Sequence, residues 1–136
     1  MMFVFHHVAI SVSNPQRSIA FYQQLGFKPV FEWAADDGSL QIIHLDLAGT
    51  LLELFAYKNF EPLKQQGKKV ETDLPRIGVK HFALRVQSIE DAKQHVLEKG
   101  IADQIEIKRG RTGIDYFFIQ DPDGIWVEIV EDNRQR

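Results

Sequence analysis

The sequence predicts an α+β fold built from two βαβββ modules in tandem. The first observation is an internal repeat: HVAISVSNPQRSIAFYQQLGF, beginning at His7, aligns with HFALRVQSIEDAKQHVLEKGI, beginning at His81. The second is that DLAGTLLELF, 46–55, aligns with DPDGIWVEIV, 121–130. The third is that both copies show the same order of strand-like alternation, helical spacing and turn residues.

In the first copy, residues 7–12 alternate like a strand, and the helix that follows has clear end signals. Asn14 can cap the helix N-terminus, Pro15 suits its first turn and Gly26 suits its C-terminal end. The residues at helical spacing are Ser18, Phe21, Tyr22 and Leu25. Three further strands are predicted at about 27–34, 40–47 and 51–57, with DDGS as the first turn.

The second copy repeats this order. Residues 81–86 form the first predicted strand, and Ser88 with Asp91 gives a capping-box signature for the helix that ends at Gly100. The apolar positions of this helix are Ile89, Ala92 and Val96. The remaining strands are predicted at about 103–109, 115–120 and 125–131, with RGRTG as the first turn.

These elements predict a first module at 1–57 and a second module at 79–136 within one structural domain. The segment 58–78 between them is interpreted as a linker or arm. It is polar and contains Pro62, Gly67, Pro75 and Gly78.

Composition narrows the class of protein. A hydrophobic content of 44%, a charged content of 26% and a net charge of −3 are ordinary for a globular protein and give no electrostatic basis for binding nucleic acid or a membrane surface. The absence of cysteine excludes thiolate metal sites and a cysteine nucleophile. The apolar N-terminal run is too short for a signal peptide or a membrane span, so a cytoplasmic location is expected.

Four polar side chains break the apolar strand pattern at repeated positions, namely His7, Glu53, His81 and Glu128. Strand alternation places each of them on the sheet face opposite the helix. A carboxylate among apolar neighbours is costly to bury unless it is paired, and two carboxylates with two neutral imidazoles offset a divalent charge. Taken singly, each residue has a plainer structural or surface interpretation. Together they predict a site for zinc, nickel, cobalt, manganese or iron.

The other three histidines are predicted to be structural. His6 lies at a strand position whose side chain is expected to face the helix, and His95 lies on a predicted helix. His44 aligns with the apolar Ile119 of the second copy, so it is not expected to belong to a repeated site.

The motifs HHVAISVSNPQRSIAFYQQLGF, LLELFAY, KHFALRV and FFIQDPDGIWVEIVE resemble the vicinal-oxygen-chelate superfamily. This superfamily includes glyoxalase I, extradiol dioxygenases, fosfomycin-resistance proteins, methylmalonyl-CoA epimerase and bleomycin-resistance proteins. The resemblance covers about residues 5–57 and 79–131. It implies a cup-shaped, eight-stranded curved sheet around a divalent metal ion, commonly in a homodimer that acts on a small-molecule substrate.

The ligand set His, Glu, His, Glu is the one that bacterial glyoxalase I enzymes carry, usually with nickel or cobalt. The resemblance therefore implies a lactoylglutathione lyase type of isomerase, which acts on a hemithioacetal through an enediolate. Glu128 is the first candidate for the catalytic base, with Glu53 opposite it. The implied metals are nickel, cobalt or zinc, with manganese or iron as alternatives.

Two departures from glyoxalase I bear on the substrate. Ser11 stands where these enzymes usually carry a glutathione-binding arginine, and no Asn-Trp pair follows Glu53. Arg85, in the second copy, is a candidate for a comparable role or for an ion pair at a dimer interface. Further substrate-binding candidates are Phe55, Trp126 and Arg111, against plain core packing for the aromatic residues and solvation for the basic turn Lys108–Arg111. The alternatives are an epimerase, dioxygenase or thiol transferase on a non-glutathione substrate, and a non-catalytic small-molecule-binding module.

Overall fold

The computed structural model describes all 136 residues, which form two compact units, Met1–Pro62 and Leu63–Arg136. We call these units the first and the second module. Each contains one four-stranded sheet, so the eight predicted strands are divided equally between the two modules. The predicted α+β class and the tandem βαβββ order are confirmed.

The sheet of the first module has the strand order β1-β4-β3-β2. Its elements are β1 (His7–Ser11), α1 (Pro15–Gln23), β2 (Lys28–Ala34), β3 (Leu40–Leu47) and β4 (Thr50–Tyr57). β1 runs parallel to β4, and the other two pairs of strands are antiparallel. Because the first and last strands of the module are neighbours, residues far apart in sequence meet at the centre of this sheet.

The sheet of the second module repeats this topology with the order β5-β8-β7-β6. After a 3-10 turn (Gln65–Lys68), its elements are α2 (Val70–Asp73), β5 (Phe82–Arg85), α3 (Ile89–Glu98), β6 (Lys108–Arg109), β7 (Asp115–Gln120) and β8 (Trp126–Glu131). The strand predicted at 103–109 is wrong in length, since only its last two residues pair with β7. β6 is an edge strand with a hydrogen-bond partner on one side only, where pairing is most easily lost.

The predicted helix ends are confirmed. The Asn14 side chain accepts a hydrogen bond of 3.1 Å from the backbone N–H of Arg17, and the Ser88 hydroxyl accepts one of 3.2 Å from Asp91. Both bonds satisfy N–H groups that have no partner within the helix. Gly26 adopts a positive φ of 101° just beyond α1, a conformation that favours glycine.

Alternation along the strands separates an apolar face from the face that carries the four polar residues. Leu52 and Leu54 on β4 are buried, as are Val127 and Ile129 on β8. Tyr22 of α1 and Val96 of α3 are also buried, so the apolar sheet faces and the helices form the cores. The glutamates between the buried strand residues project to the opposite face. None of the helices combines the length and the apolarity needed to cross a membrane.

Candidate functional site

In the first module, the parallel pairing of β1 and β4 brings His7 and Glu53 together. The register pairs Ala9 with Glu53, and His7 lies two residues earlier on the same face of β1. The Nε2 atom of His7 is 3.5 Å from Oε1 of Glu53.

The second module builds the same pair. The register of β5 and β8 pairs Ala83 with Glu128, as Ala9 pairs with Glu53. His81, just before β5, places its Nε2 atom 3.0 Å from Oε2 of Glu128. The sequence repeat therefore reproduces one local geometry, an imidazole beside a carboxylate, in each module.

Neither carboxylate of the two pairs contacts a lysine or an arginine. The exposed fractions of the Glu53 and Glu128 side chains are only 17% and 15%. Their ion-pair partners are histidines alone, whereas Asp115 and Asp132 elsewhere in the second module are paired with arginines. A largely covered carboxylate without a lysine or arginine neighbour is suited to hold a cation from outside the protein.

Within either module, no set of three or more histidine, aspartate or glutamate side chains is arranged so that it could hold a metal ion. Each module contains two of the four predicted ligands, as one adjacent pair. Both pairs offer the same two donor atoms to a metal, one imidazole nitrogen and one carboxylate oxygen.

His44 has a contact that the sequence did not reveal. It lies on β3 directly opposite Glu53 on β4, and its Nε2 atom is 2.7 Å from Oε2 of Glu53. The ring of His44 also stacks on that of His7, with a centroid distance of 6.5 Å and an angle of 19° between planes. Glu53 therefore lies between two histidines. The sequence carries one signal of this contact, the sheet face that strand alternation assigns to His44, and that assignment depends on the strand register.

The expected counterpart of His44 is also corrected. In the second module the residue opposite Glu128 is Phe118, not Ile119, which pairs with Val127. The ring of Phe118 meets that of His81 edge to face at 4.9 Å. The first module thus surrounds its carboxylate with imidazoles, and the second module places an aromatic ring there.

His6 contacts one of the predicted ligands. Its Nδ1 atom is 2.8 Å from Nδ1 of His7, so one of the two nitrogens carries the hydrogen that the other accepts. This contact occupies the ring nitrogen of His7 that faces away from Glu53. The Nε2 atom of His7 remains directed at the carboxylate.

The candidate substrate-binding residues are distributed as follows. Trp126 and Phe55 share a sheet face with Glu128 and Glu53, respectively, as alternation requires. The indole N–H of Trp126 is buried and has no hydrogen-bond partner, while its ring contacts Phe118 at a centroid distance of 5.9 Å. This donor is therefore unsatisfied within the protein.

The basic candidates have protein contacts or lie at the surface. Arg85 donates a hydrogen bond of 2.9 Å to the backbone carbonyl of Asp132. Arg109, in the predicted basic turn, donates to both carboxylate oxygens of Asp115, one of them at 3.1 Å. Arg111 lies exposed in the turn between β6 and β7.

The chain belongs to the glyoxalase/bleomycin resistance protein/dioxygenase superfamily, whose family model matches residues 4–129. This confirms the family resemblance that the sequence motifs indicated. The superfamily assignment is consistent with the repeated module and with the His–Glu pair that each module carries.

Comparisons with individual proteins agree with this assignment. The chain is 32% identical to the uncharacterized protein YwkD of Bacillus subtilis (strain 168) over 93% of this chain and 94% of that protein. It is 30% identical to the lactoylglutathione lyase of Schizosaccharomyces pombe (strain 972 / ATCC 24843) over 95% of this chain, but spans only 45% of that enzyme. The crystal structure of a glyoxalase family protein from Enterococcus faecalis superposes with a TM-score of 0.78 at 29% identity, covering 96% of this chain and 98% of the other.

Proposed function

We propose that the protein is a divalent-metal-dependent enzyme of the glyoxalase I type, which isomerises a hemithioacetal to a thioester. The observation that carries the proposal is the repeated His–Glu pair, His7 with Glu53 and His81 with Glu128, in which neither carboxylate has a lysine or arginine partner. The similarity to a lactoylglutathione lyase supports the same reaction class.

The proposed metal ligands are the four residues of the two pairs, which in a homodimer would bind one ion per chain. Two carboxylates offset the charge of a divalent cation, and two imidazoles add neutral nitrogen donors. Nickel, cobalt and zinc are the metals we expect, with manganese and iron as further candidates. When bound, the metal supplies a Lewis acid that polarises the neighbouring oxygens of the substrate.

Glu128 is the proposed general base. It removes the proton from the carbon that bears the hydroxyl and sulfur, and delivers it to the adjacent carbonyl carbon, so that hydroxyl and carbonyl exchange places. The substrate is isomerised without any oxidant or reductant. Such proton transfer contributes about 10²- to 10⁴-fold in rate. Glu53 is the second candidate for this base, and the indole N–H of Trp126 offers a donor to a substrate oxygen.

A second candidate is the same proton transfer on a substrate without glutathione. Two observations favour it. Ser11 stands where glyoxalase I enzymes usually carry a glutathione-binding arginine, and Arg85 is engaged with the Asp132 carbonyl rather than free. In this case the site acts on a small α-hydroxycarbonyl compound, for example as an epimerase.

The test is turnover of the hemithioacetal of methylglyoxal and glutathione by protein stripped of metal and then loaded with Ni²⁺, Co²⁺ or Zn²⁺. Formation of S-lactoylglutathione is followed by its ultraviolet absorbance, with the Glu128→Gln variant as the matched control. The proposal expects turnover only in the metal-loaded wild-type protein. Metal-loaded protein without turnover would contradict the glyoxalase I reaction and favour the second candidate. A non-catalytic binding module would bind ligand without any metal.

A further inference from the structure

We propose that His44 is a positioning residue that fixes the orientation of Glu53 and makes the two carboxylates of the site unequal. The inference rests on the proposed metal function, because it assigns His44 an influence on metal affinity through Glu53. It is carried by the 2.7 Å contact between Nε2 of His44 and Oε2 of Glu53, which the second module lacks.

Strand register holds His44 beside Glu53. β3 and β4 pair the two residues directly, so their side chains project from the same face. On the other side, β2 is interrupted by a bulge between Pro29 and Phe31, which sets Phe31 opposite His44. The two rings meet edge to face with a centroid distance of 6.0 Å. His44 is therefore held between an aromatic ring and the carboxylate.

The chemistry of the contact fixes the direction of the hydrogen bond. An ionised carboxylate has only acceptors, so Nε2 of His44 carries the hydrogen and donates it to Oε2 of Glu53. The other oxygen, Oε1, faces Nε2 of His7 at 3.5 Å. One oxygen of Glu53 is thus committed to His44 while the other is directed at a proposed metal ligand. Partners of this kind orient metal-binding carboxylates in many metal sites.

The second module has no equivalent donor. Phe118 occupies the position opposite Glu128, and the only side-chain partner of Glu128 is His81 at 3.0 Å. His81 is itself a proposed ligand, and its Nε2 atom cannot carry a hydrogen while it binds a metal. Glu128 would then lose this hydrogen bond, whereas Glu53 would keep the one from His44. Glu53 would therefore be the metal ligand whose orientation His44 fixes, and Glu128 would be the carboxylate that can reorient to act as the base.

Three variants test this role. His44→Phe installs the residue that the second module carries at the same strand position. His44→Gln keeps a side-chain N–H donor near the place of Nε2. His95→Gln is the matched control, because His95 is an exposed histidine on α3, away from β3. The measurements are the Co²⁺ affinity, by competition with a fluorescent chelator, and the Glu53 side-chain conformation in crystals of the metal-free variants.

We expect His44→Phe to weaken Co²⁺ binding about 10- to 100-fold and to change the Glu53 conformation. His44→Gln should restore most of the affinity, and His95→Gln should match the wild type. An unchanged Glu53 conformation in His44→Phe, or no rescue by His44→Gln, would overturn the inference. A wild-type protein that binds no Co²⁺ would overturn the proposed function instead, and the Glu53 conformation in His44→Phe would still decide whether His44 positions it.

Discussion

Replacing Glu128 with glutamine should separate the folding of the protein from its proposed metal site. The carboxylate is 15% exposed and its only ion-pair partner is His81. The amide oxygen of glutamine can still accept the hydrogen bond from His81, so the variant keeps the shape and the contact while it loses the negative charge. The free energy of unfolding without metal should therefore change by less than about 1 kcal/mol.

The expected change in unfolding temperature follows from the size of the chain. At about 2.1 cal/mol/K per residue, 136 residues give an unfolding entropy near 290 cal/mol/K, so 1 kcal/mol corresponds to about 3.5 °C. A metal present at 100 times its dissociation constant stabilises the folded state by about 2.7 kcal/mol. The wild-type protein should then gain about 9 °C on addition of metal.

The assay is thermal unfolding at pH 8, in excess chelator and then with Co²⁺. In chelator, wild type and Glu128→Gln should unfold within about 3 °C of each other. With Co²⁺, the wild type should show the full shift and the variant almost none. Glu106→Gln is the matched control, since Glu106 is an exposed carboxylate of the same module. A variant that retains the wild-type shift would refute the assignment of Glu128 as a ligand.

Three further predictions concern stability. Leu54→Ala removes a fully buried side chain of the first module and should lower the free energy of unfolding by about 2–5 kcal/mol in urea titration. Asp121→Ala should lower the free energy of unfolding by about 1–3 kcal/mol in the same titration, because Oδ1 of Asp121 accepts hydrogen bonds from the backbone N–H groups of Asp123 and Ile125. Asp121→Asn keeps an acceptor oxygen and should lower it less. The Arg134 side chain lowers the pKa of Asp132, so this carboxylate stabilises the folded state above its ordinary pKa of about 4 and progressively less as the pH falls below it. The stability difference between wild type and Asp132→Asn should therefore be larger at pH 6 than at pH 3, and an equal difference would contradict the assignment.

Much of the fold could be predicted because local physical constraints recur in both copies. Strand alternation isolates Glu53 and Glu128 from their buried neighbours, and Asn14 and Ser88 supply the side-chain acceptors that begin the helices. The pairing of each histidine with its glutamate follows from the repeat. Because the two modules share one topology, residues at equivalent positions of the first and last strands have equivalent neighbours.

The contact of His44 could not be predicted, because it depends on cross-strand register. The sequence offset from His44 to Glu53 is nine (53 − 44), whereas that from Phe118 to Glu128 is ten (128 − 118), so the segment that joins the paired residues through the turn is one residue longer in the second module. A repeat alignment carried across that turn therefore selects Ile119 instead. Because Ile119 is apolar, that alignment gives His44 no polar counterpart and predicts a structural role for it, although a shift of one residue moves a side chain to the opposite face of the sheet.

Metal stoichiometry distinguishes one ion shared by the two His–Glu pairs from separate ions at each pair. Protein stripped of metal is titrated with Co²⁺ and the bound metal is counted per chain, for the wild type and for alanine variants of His7, Glu53, His81 and Glu128. We expect one ion per chain, with affinity lost in every variant, because the two pairs are proposed to bind a single ion. Two ions per chain, each lost only with the pair of one module, would contradict it, as would a wild-type chain that binds none.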